Sequence, residues 1–188
     1  MNILDFDNTI YKGDTSKDII KFSLVRHPIL TINSILKTIP IYIKYILKKT
    51  TFEHVKTSLF SFLYKIDNLE NYIDEFINKK IKNIKNWYKN RNKKNDIIIS
   101  ASLELWIIPF CKKIGINSII ATKTDNKGNI IGLNCKGREK VNRLKKEYPN
   151  IIVNEAYSDS KSDIPMLELA KKAYLVKGEK LIEYKKDS

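Results

Sequence analysis

Asn2-Ile3-Leu4-Asp5-Phe6-Asp7-Asn8-Thr9 is the stretch on which the fold turns. Its apolar start reads as a short buried strand over residues 2–6, and residues 7–13, closing on Gly13, read as the loop that leaves it. Outward from there the chain changes character. Over residues 15–94 apolar side chains recur at three- and four-residue spacing, as in Leu59, Phe62, Leu63, Ile66 and Ile73, Phe76, Ile77, Ile81, so this block is expected to be all helical. After Asn95-Asp96 the rhythm alternates. Strands are expected at 97–100, 118–122, 151–157 and 173–176, helices at 103–114, 138–148 and 164–172, and a small hairpin around the Asn-Lys-Gly-Asn turn at 126–129. Strands alternating with helices argue for an α/β fold, a doubly wound parallel sheet with helices on both faces. The expected organisation is therefore a core of residues 1–13 and 95–188, with the helical block 14–94 inserted after the first strand and lying above the carboxyl edge of the sheet.

A chain of 188 residues with 43% hydrophobic content can bury one core and a modest insert. Lysine and arginine outnumber aspartate and glutamate by 35 to 21, a net charge of +14 that attracts anions of many kinds. Basic residues are spread along the chain without a stripe of interleaved aromatics, so nucleic acid is not an expected partner. Cys111 and Cys135 lie far apart with no ligand spacing, which indicates neither a disulfide framework nor a zinc site. Polar Asp5, Asp7 and Asn8 interrupt the N-terminus where a secretory leader needs an apolar run, so a cytoplasmic location is expected.

Four constellations stand at predicted strand ends. Asp5 and Asp7 leave the first strand, where a doubly wound sheet binds ligands. One carboxylate can attack phosphorus and the other can move the proton of the departing alkoxide, provided a divalent cation offsets the charge of the phosphate. Taken alone, Asp and Asn at a strand end are also ordinary turn formers. Ser100 ends the second strand and Ser102 follows it just before a helix, where a hydroxyl and free N–H groups suit phosphate oxygens or a plain cap. Lys136 and Lys140 open a further helix as candidate partners for phosphate charge. Asp159 and Asp163 stand four apart at a strand-to-helix junction, a pair suited to magnesium or to a helix N-terminus. It is the conjunction, in this order at one sheet edge, that favours chemistry over turns.

This order resembles the haloacid dehalogenase superfamily, whose motifs run DxDx[TV], a strand-end Ser or Thr, a Lys, and an acidic pair such as GDxxxD. The resemblance spans nearly the whole chain. It implies a Rossmann-like core, and a helical insertion after the first motif is similar to the first-type cap of the phosphoserine phosphatase-like branch. It further implies Asp5 as nucleophile and metal ligand, Asp7 as acid/base lending its carbonyl to Mg2+, Ser100 on a phosphate oxygen, and Asp159 on the metal with Asp163 in support. Thr9, Asp14, Ser102 and Lys136 would lie on the substrate side. Cys135-x-Gly137-x-x-Lys140 resembles relatives of phosphatidylglycerophosphatase C and favours Lys140 as the motif lysine, with Lys136 in reserve. The second Asp of the first motif favours phosphatase over dehalogenase chemistry. Ser158 stands where Gly is usual, Asp14 where phosphoserine phosphatases carry Glu, and Ala101-Ser102 where they carry two glycines. The implied activity is a magnesium-dependent phosphatase acting on a phosphorylated small metabolite or a lipid phosphate. A phosphotransferase of the same family, or a non-catalytic basic module, are the alternatives.

The insert holds an apolar run: Ile29, Ile32, Ile35, Leu36, Ile39, Ile43, Ile46 and Leu47 at helical spacing, broken by Lys37 and Lys44. It does not read as a membrane span. The expectation is that it packs against the other helices of the insert, with peripheral contact to an anionic membrane as the second reading.

Overall fold

In the computed structural model, which describes residues 1–185, six strands form one sheet: β1 (Asn2–Leu4), β2 (Asp96–Leu103), β3 (Ser118–Thr122), β4 (Val153–Ser158), β5 (Ala170–Lys177) and β6 (Lys180–Glu183). The last residues of the expected core, 186–188, lie outside the described residues. The spatial order is β3-β2-β1-β4-β5-β6, parallel except for β6. From central β1 the chain fills the sheet outward through β2 and β3 on one side, then through β4 and β5 on the other. That makes the carboxyl end of β1 the switch point, where a crevice opens in sheets of this kind.

Between β1 and β2 lie α1 (Thr15–Arg26), α2 (Pro28–Ile46), α3 (Phe52–Phe60), α4 (Leu69–Lys80) and the single turn α5 (Asn86–Lys89); α6 (Glu104–Lys113), α7 (Arg138–Glu147) and α8 (Ile164–Leu167) connect the later strands. Side chains cap α1 and α3 of the insert at the first turn. Asp14 accepts the N–H of Lys17 at 3.1 Å ahead of α1, Thr51 accepts that of His54 ahead of α3, and Pro28 starts α2 where a missing N–H costs nothing.

The period of two along the strands divides the interior. Leu4 and Ile98 join one cluster, with Phe22, Phe60 and Phe76 from the insert and Trp106 and Phe110 from α6; Ile3, Ile97 and Ile99 join another, with Val141 and Leu144 of α7 and Met166 of α8. The insert thus shares a core with one face of the sheet.

Several expectations are corrected. β1 stops at Leu4, although the N–H of Asp5 still donates to Tyr157 O at 2.9 Å. The helix expected to Lys172 ends at Leu167, because residues from Ala170 onward pair with β4 and so satisfy their backbone in the sheet. β6 was not expected. All four of its residues are exposed, so it carries no alternation, and its hairpin turns at Gly178 with φ +60°. The hairpin at 126–129 reduces to a single bridge, Thr124 to Ile130.

The apolar run on α2 does not pack against its neighbours as expected. The buried residues of α2 are Thr31, Ser34 and Thr38. Ser34 Oγ donates to Ser58 O at 2.7 Å, and the Thr38 and Ser58 hydroxyls lie 2.8 Å apart. Small hydroxyl residues let α2 approach α3 closely and bond to it, which leaves the large apolar side chains outside.

Candidate active site

The loop after β1 is held from three directions. The N–H groups of Thr9, Ile10 and Tyr11 converge on Phe6 O, Asn8 adopts φ +55°, and Asn8 N donates to Gly13 O at 2.8 Å. Lys85 Nζ bonds Asn8 O and Trp87 Nε1 bonds Thr9 O, so the end of the insert clamps the same loop.

Lys140 Nζ donates to Asp5 Oδ1 at 2.6 Å and to Asp163 Oδ2 at 2.7 Å, and is 1% exposed. Lys136 lines the cavity; the lysine that meets Asp5 is Lys140. Gly137 makes this possible. It has φ +57° and ψ −126°, and a Cβ there would meet Ser162 O at 3.3 Å, so glycine lets the start of α7 seat against the 158–163 loop. Ser158, where the resemblance leads one to expect glycine, is a working member of that loop: its hydroxyl donates to Asp163 Oδ2 at 2.8 Å and accepts Ser160 N–H at 3.1 Å.

Asp7 is held apart from Asp5. Thr15 N–H donates to its Oδ1 at 2.6 Å and Ser102 Oγ to its Oδ2 at 2.6 Å; Ser102 Oγ accepts from Thr15 Oγ1 at 3.1 Å, and Thr15 Oγ1 accepts from Trp106 Nε1 at 3.1 Å. This relay of donors fixes the carboxyl's orientation. Ser100 does not stand at a helix N-terminus as expected. β2 runs on to Leu103 through a register irregularity between Ile99 and Leu103, and Ser100 Oγ accepts Ser102 N–H at 3.0 Å inside it. Ser100, expected on a phosphate oxygen, is fully buried and does not line the cavity.

Thr9, expected on the substrate side, is fully buried and outside the cavity lining. Its hydroxyl donates to Asp5 Oδ2 at 3.0 Å and accepts Asp159 N–H at 3.0 Å, which ties the two loops together. Asp14, Ser102, Lys136, Lys140, Asp159 and Asp163 line, with Asp5 and Asp7, a cavity of about 390 Å3; Ile20, Val55, Leu59 and Phe60 form its apolar wall.

One cavity residue was not anticipated. Lys56 of α3 is 7% exposed, and its Nζ donates to Ala101 O at 2.5 Å and to Asn134 Oδ1 at 3.0 Å. Burial pulls its ammonium down from 10.5 to about 8, against Asp7 and Asp14, which favour the charge. The signal was its position: within the stripe Phe52, Val55, Leu59, Phe60 a lysine occupies a core-facing place.

Burial pushes Asp5 up to about 7, opposed by Lys140 and reinforced by Asp163 and Asp7. Burial raises Asp7 also, with the Ser102 and Thr15 bonds working against it. For Lys140 burial alone would lower the ammonium, but the adjoining Asp5 and Asp163 carboxylates outweigh it and hold the proton.

The donor set suits a small hard cation. Among the described residues no three His, Cys, Asp or Glu side chains form a cage. Magnesium does not need one, since it takes one or two carboxylates and keeps several waters. Asp5 and Asp159 both approach the Thr9 hydroxyl, at 3.0 and 3.4 Å, and Asp163 Oδ1 is buried without a hydrogen-bond partner. Hard oxygens and an orphaned carboxylate atom fit that ion.

A profile of haloacid dehalogenase-like hydrolases matches residues 3–168. Protein CicA of Caulobacter vibrioides (strain NA1000 / CB15N) is 33% identical over 81 residues, covering 39% of this chain and 36% of that protein, so the match spans little more than a third of the curated relative's length. Among solved structures, a protein of unknown function from Bordetella pertussis Tohama I superposes with a TM-score of 0.76 at 17% identity, over 93% of this chain and 88% of that one. A phosphoserine phosphohydrolase-like protein from Francisella tularensis subsp. tularensis SCHU S4 gives 0.56 at 20% identity, over 93% and 86%. These likenesses establish the same fold, and the profile covers most of the chain with every carboxylate described above inside it. The chain belongs to the haloacid dehalogenase-like hydrolases.

Proposed function

We propose that this hydrolase is a magnesium-dependent phosphatase that cleaves a phosphomonoester through an aspartyl-phosphate on Asp5. The observation that carries the reading is the division of labour between two carboxyl groups at one cavity: Asp5 paired with buried Lys140, Asp7 oriented separately by Ser102 and Thr15. An Asp5 oxygen bonds phosphorus as the ester P–O bond breaks, and the Asp7 carboxyl passes its proton to the leaving alkoxide. Asp7 then takes a proton from water as the water oxygen bonds phosphorus and the Asp5–phosphorus bond breaks, releasing inorganic phosphate. Burial, which raises Asp7, suits a group that must hold a proton before giving it. Lys140 offsets the charge on Asp5. Bound Mg2+ supplies the charge neutralisation that lets one anion attack another; Asp5, the Asp7 carbonyl and Asp159 would hold it, with Asp163 in support.

The phosphoserine phosphatase-like neighbour makes phosphoserine one candidate, and the apolar cavity wall suits a phosphate ester with an apolar part, lipid phosphates such as phosphatidylglycerophosphate included. A screen of phosphorylated metabolites and lipids separates them. The class is tested with p-nitrophenyl phosphate: phosphate release with Mg2+, none after chelation, and a phosphorylated peptide containing Asp5 in quenched turnover. Release that persists without divalent cation, or label on another residue, refutes the assignment.

Lys56 supplies a second test. A buried ammonium without a carboxylate in contact destabilises the fold, and the displacement from 10.5 to about 8 corresponds to about 3 kcal/mol at pH 7. Because the folded pKa lies below the unfolded one, that penalty is complete below pH 8 and is relieved as pH rises towards 10.5. Lys56→Met is therefore expected to raise the unfolding midpoint at pH 7, with the gain shrinking towards pH 10. Thr122 Oγ1, already 2.7 Å from Ala101 O and 3.0 Å from Asn134 Oδ1, limits the loss of hydrogen bonds. The same variant should lose about tenfold or more in kcat/KM, because a cation facing the anionic substrate is gone. Thermal unfolding against pH, beside steady-state kinetics, reads both.

A further inference from the structure

Helix α2 is built inside out. Its buried positions hold Thr31, Ser34 and Thr38, while Ile29, Leu36, Ile43 and Ile46 are 75%, 57%, 51% and 62% exposed. With Ile32 and Ile39, both about half exposed, they recur at alternating intervals of three and four and so form one stripe about 25 Å long on the outer face. Leu24 and Val25 extend it at the end of α1, and Tyr42, Tyr45 and Leu47 widen it. A contiguous apolar face of this size marks a contact surface.

The charges around the stripe say what kind. From Ile19 to Phe52 there is no Asp or Glu, whereas Lys21, Arg26, Lys37, Lys44, Lys48 and Lys49 all lie in that segment and are exposed. A second copy of this chain would bring the same cations; Arg26 already has Glu75 as its partner, and the five lysines would meet no acid from this segment of the other copy, so like charges would face each other. A surface of anionic headgroups over an acyl boundary complements both features: it takes the isoleucines below and the lysines and tyrosine hydroxyls at the polar level. No helix among the described residues is long and apolar enough to cross a membrane, which leaves lying on it. The face also adjoins the active site. Tyr45 packs on Phe52 with ring centroids 5.6 Å apart, and Phe52 lines the cavity.

We propose that the outer face of α2 is a docking surface for the interface of an anionic lipid bilayer, on which the helix lies flat with its apolar stripe towards the acyl chains. This stands apart from the catalytic assignment, since binding is read without turnover. The full chain is sedimented with vesicles of phosphatidylglycerol and phosphatidylcholine, and with phosphatidylcholine alone. Binding to the anionic vesicles is expected, weakened at least about tenfold on neutral vesicles and by the double substitution Ile39→Asp/Ile43→Asp. Lys37→Glu/Lys44→Glu should weaken it also, and raised salt should mimic that change. Circular dichroism shows that the variants are folded. No binding by folded wild type overturns the proposal, as does binding that the isoleucine substitutions leave intact. A concentration-dependent dimer, dissolved by Ile39→Asp/Ile43→Asp in the absence of any vesicle binding, would assign the face to a second copy.

Discussion

Asp5→Asn is expected to reduce magnesium-dependent phosphate release by about 10^4-fold while leaving the fold at least as stable as the wild type at neutral pH. The amide keeps the shape of the carboxyl but offers no anionic oxygen to phosphorus, so the first bond-forming step has no nucleophile. Stability moves independently. Burial raises Asp5 to about 7, so its ionised form is penalised in the folded state. A carboxyl whose folded pKa exceeds its unfolded one carries no penalty below about pH 4 and a growing penalty up to pH 7. Asn removes that penalty, and Lys140 retains Asp163 as a partner at 2.7 Å. Thermal unfolding at pH 5 and pH 7.5 should thus show the variant gaining on the wild type as pH rises. Turnover that survives in a folded variant would remove Asp5 from the mechanism.

The separation of activity from stability at Asp5 reflects how the site was legible in the first place. Asp5, Asp7, Asp159, Asp163 and Lys140 sit where strands or helices begin or end, and in a βα repeat the order of such positions along the chain is also their arrangement at the sheet edge. The convergence of the carboxylates and a lysine could therefore be inferred from that order, while the choice of Lys140 over Lys136 rested on the resemblance of Cys135-x-Gly137-x-x-Lys140. What spacing could not convey was the direction of side chains that lie off those ends. Lys56 is one lysine among many in the sequence, and only the apolar companions at 52, 55, 59 and 60 mark its side of α3 as inward. Thr9 stood inside the motif yet faces away from the cavity, because its hydroxyl is needed between Asp5 and Asp159. On α2 the period of the apolar run was right and its partner was wrong. Periodicity defines a face without saying which side of the helix meets protein, and the opposing row Thr31, Ser34, Thr38 carried that information. β6 escaped because an edge strand exposed on both faces has no pattern to read.

Lys140→Met is expected to be the most damaging single change in the protein, with Lys136→Met as its mild counterpart. Methionine fills much the same space, so the effect is electrostatic. Without the ammonium, Asp5 Oδ1 and Asp163 Oδ2 lose donors at 2.6 and 2.7 Å and two buried carboxylates are left to repel each other. Stripping one partner from a buried ion pair typically costs about 3–5 kcal/mol. Ser158 still donates to Asp163, but among the described residues no second cation bonds Asp5. Burial already lifts Asp5 against the pull of Lys140, and without that pull the carboxyl rises further. The stability deficit should accordingly be small near pH 4, where a neutral carboxyl needs no partner, and should widen as pH rises through 7. Activity should fall by about 10^3-fold or more, since a protonated Asp5 is no nucleophile. Added Mg2+ bears on the outcome: a cation held by Asp5 and Asp159 would offset part of the missing charge, so the unfolding midpoint of Lys140→Met should rise with Mg2+ more than that of the wild type. Lys136 contributes no bond to Asp5, and its replacement should leave the unfolding midpoint nearly unchanged and affect KM before kcat. Denaturant or thermal unfolding at pH 5 and pH 7.5, with and without Mg2+, together with steady-state kinetics of both variants, checks each part. If Lys136→Met abolished turnover while Lys140→Met preserved it, the buried lysine would be a structural pair and the charge partner of the reaction would be Lys136.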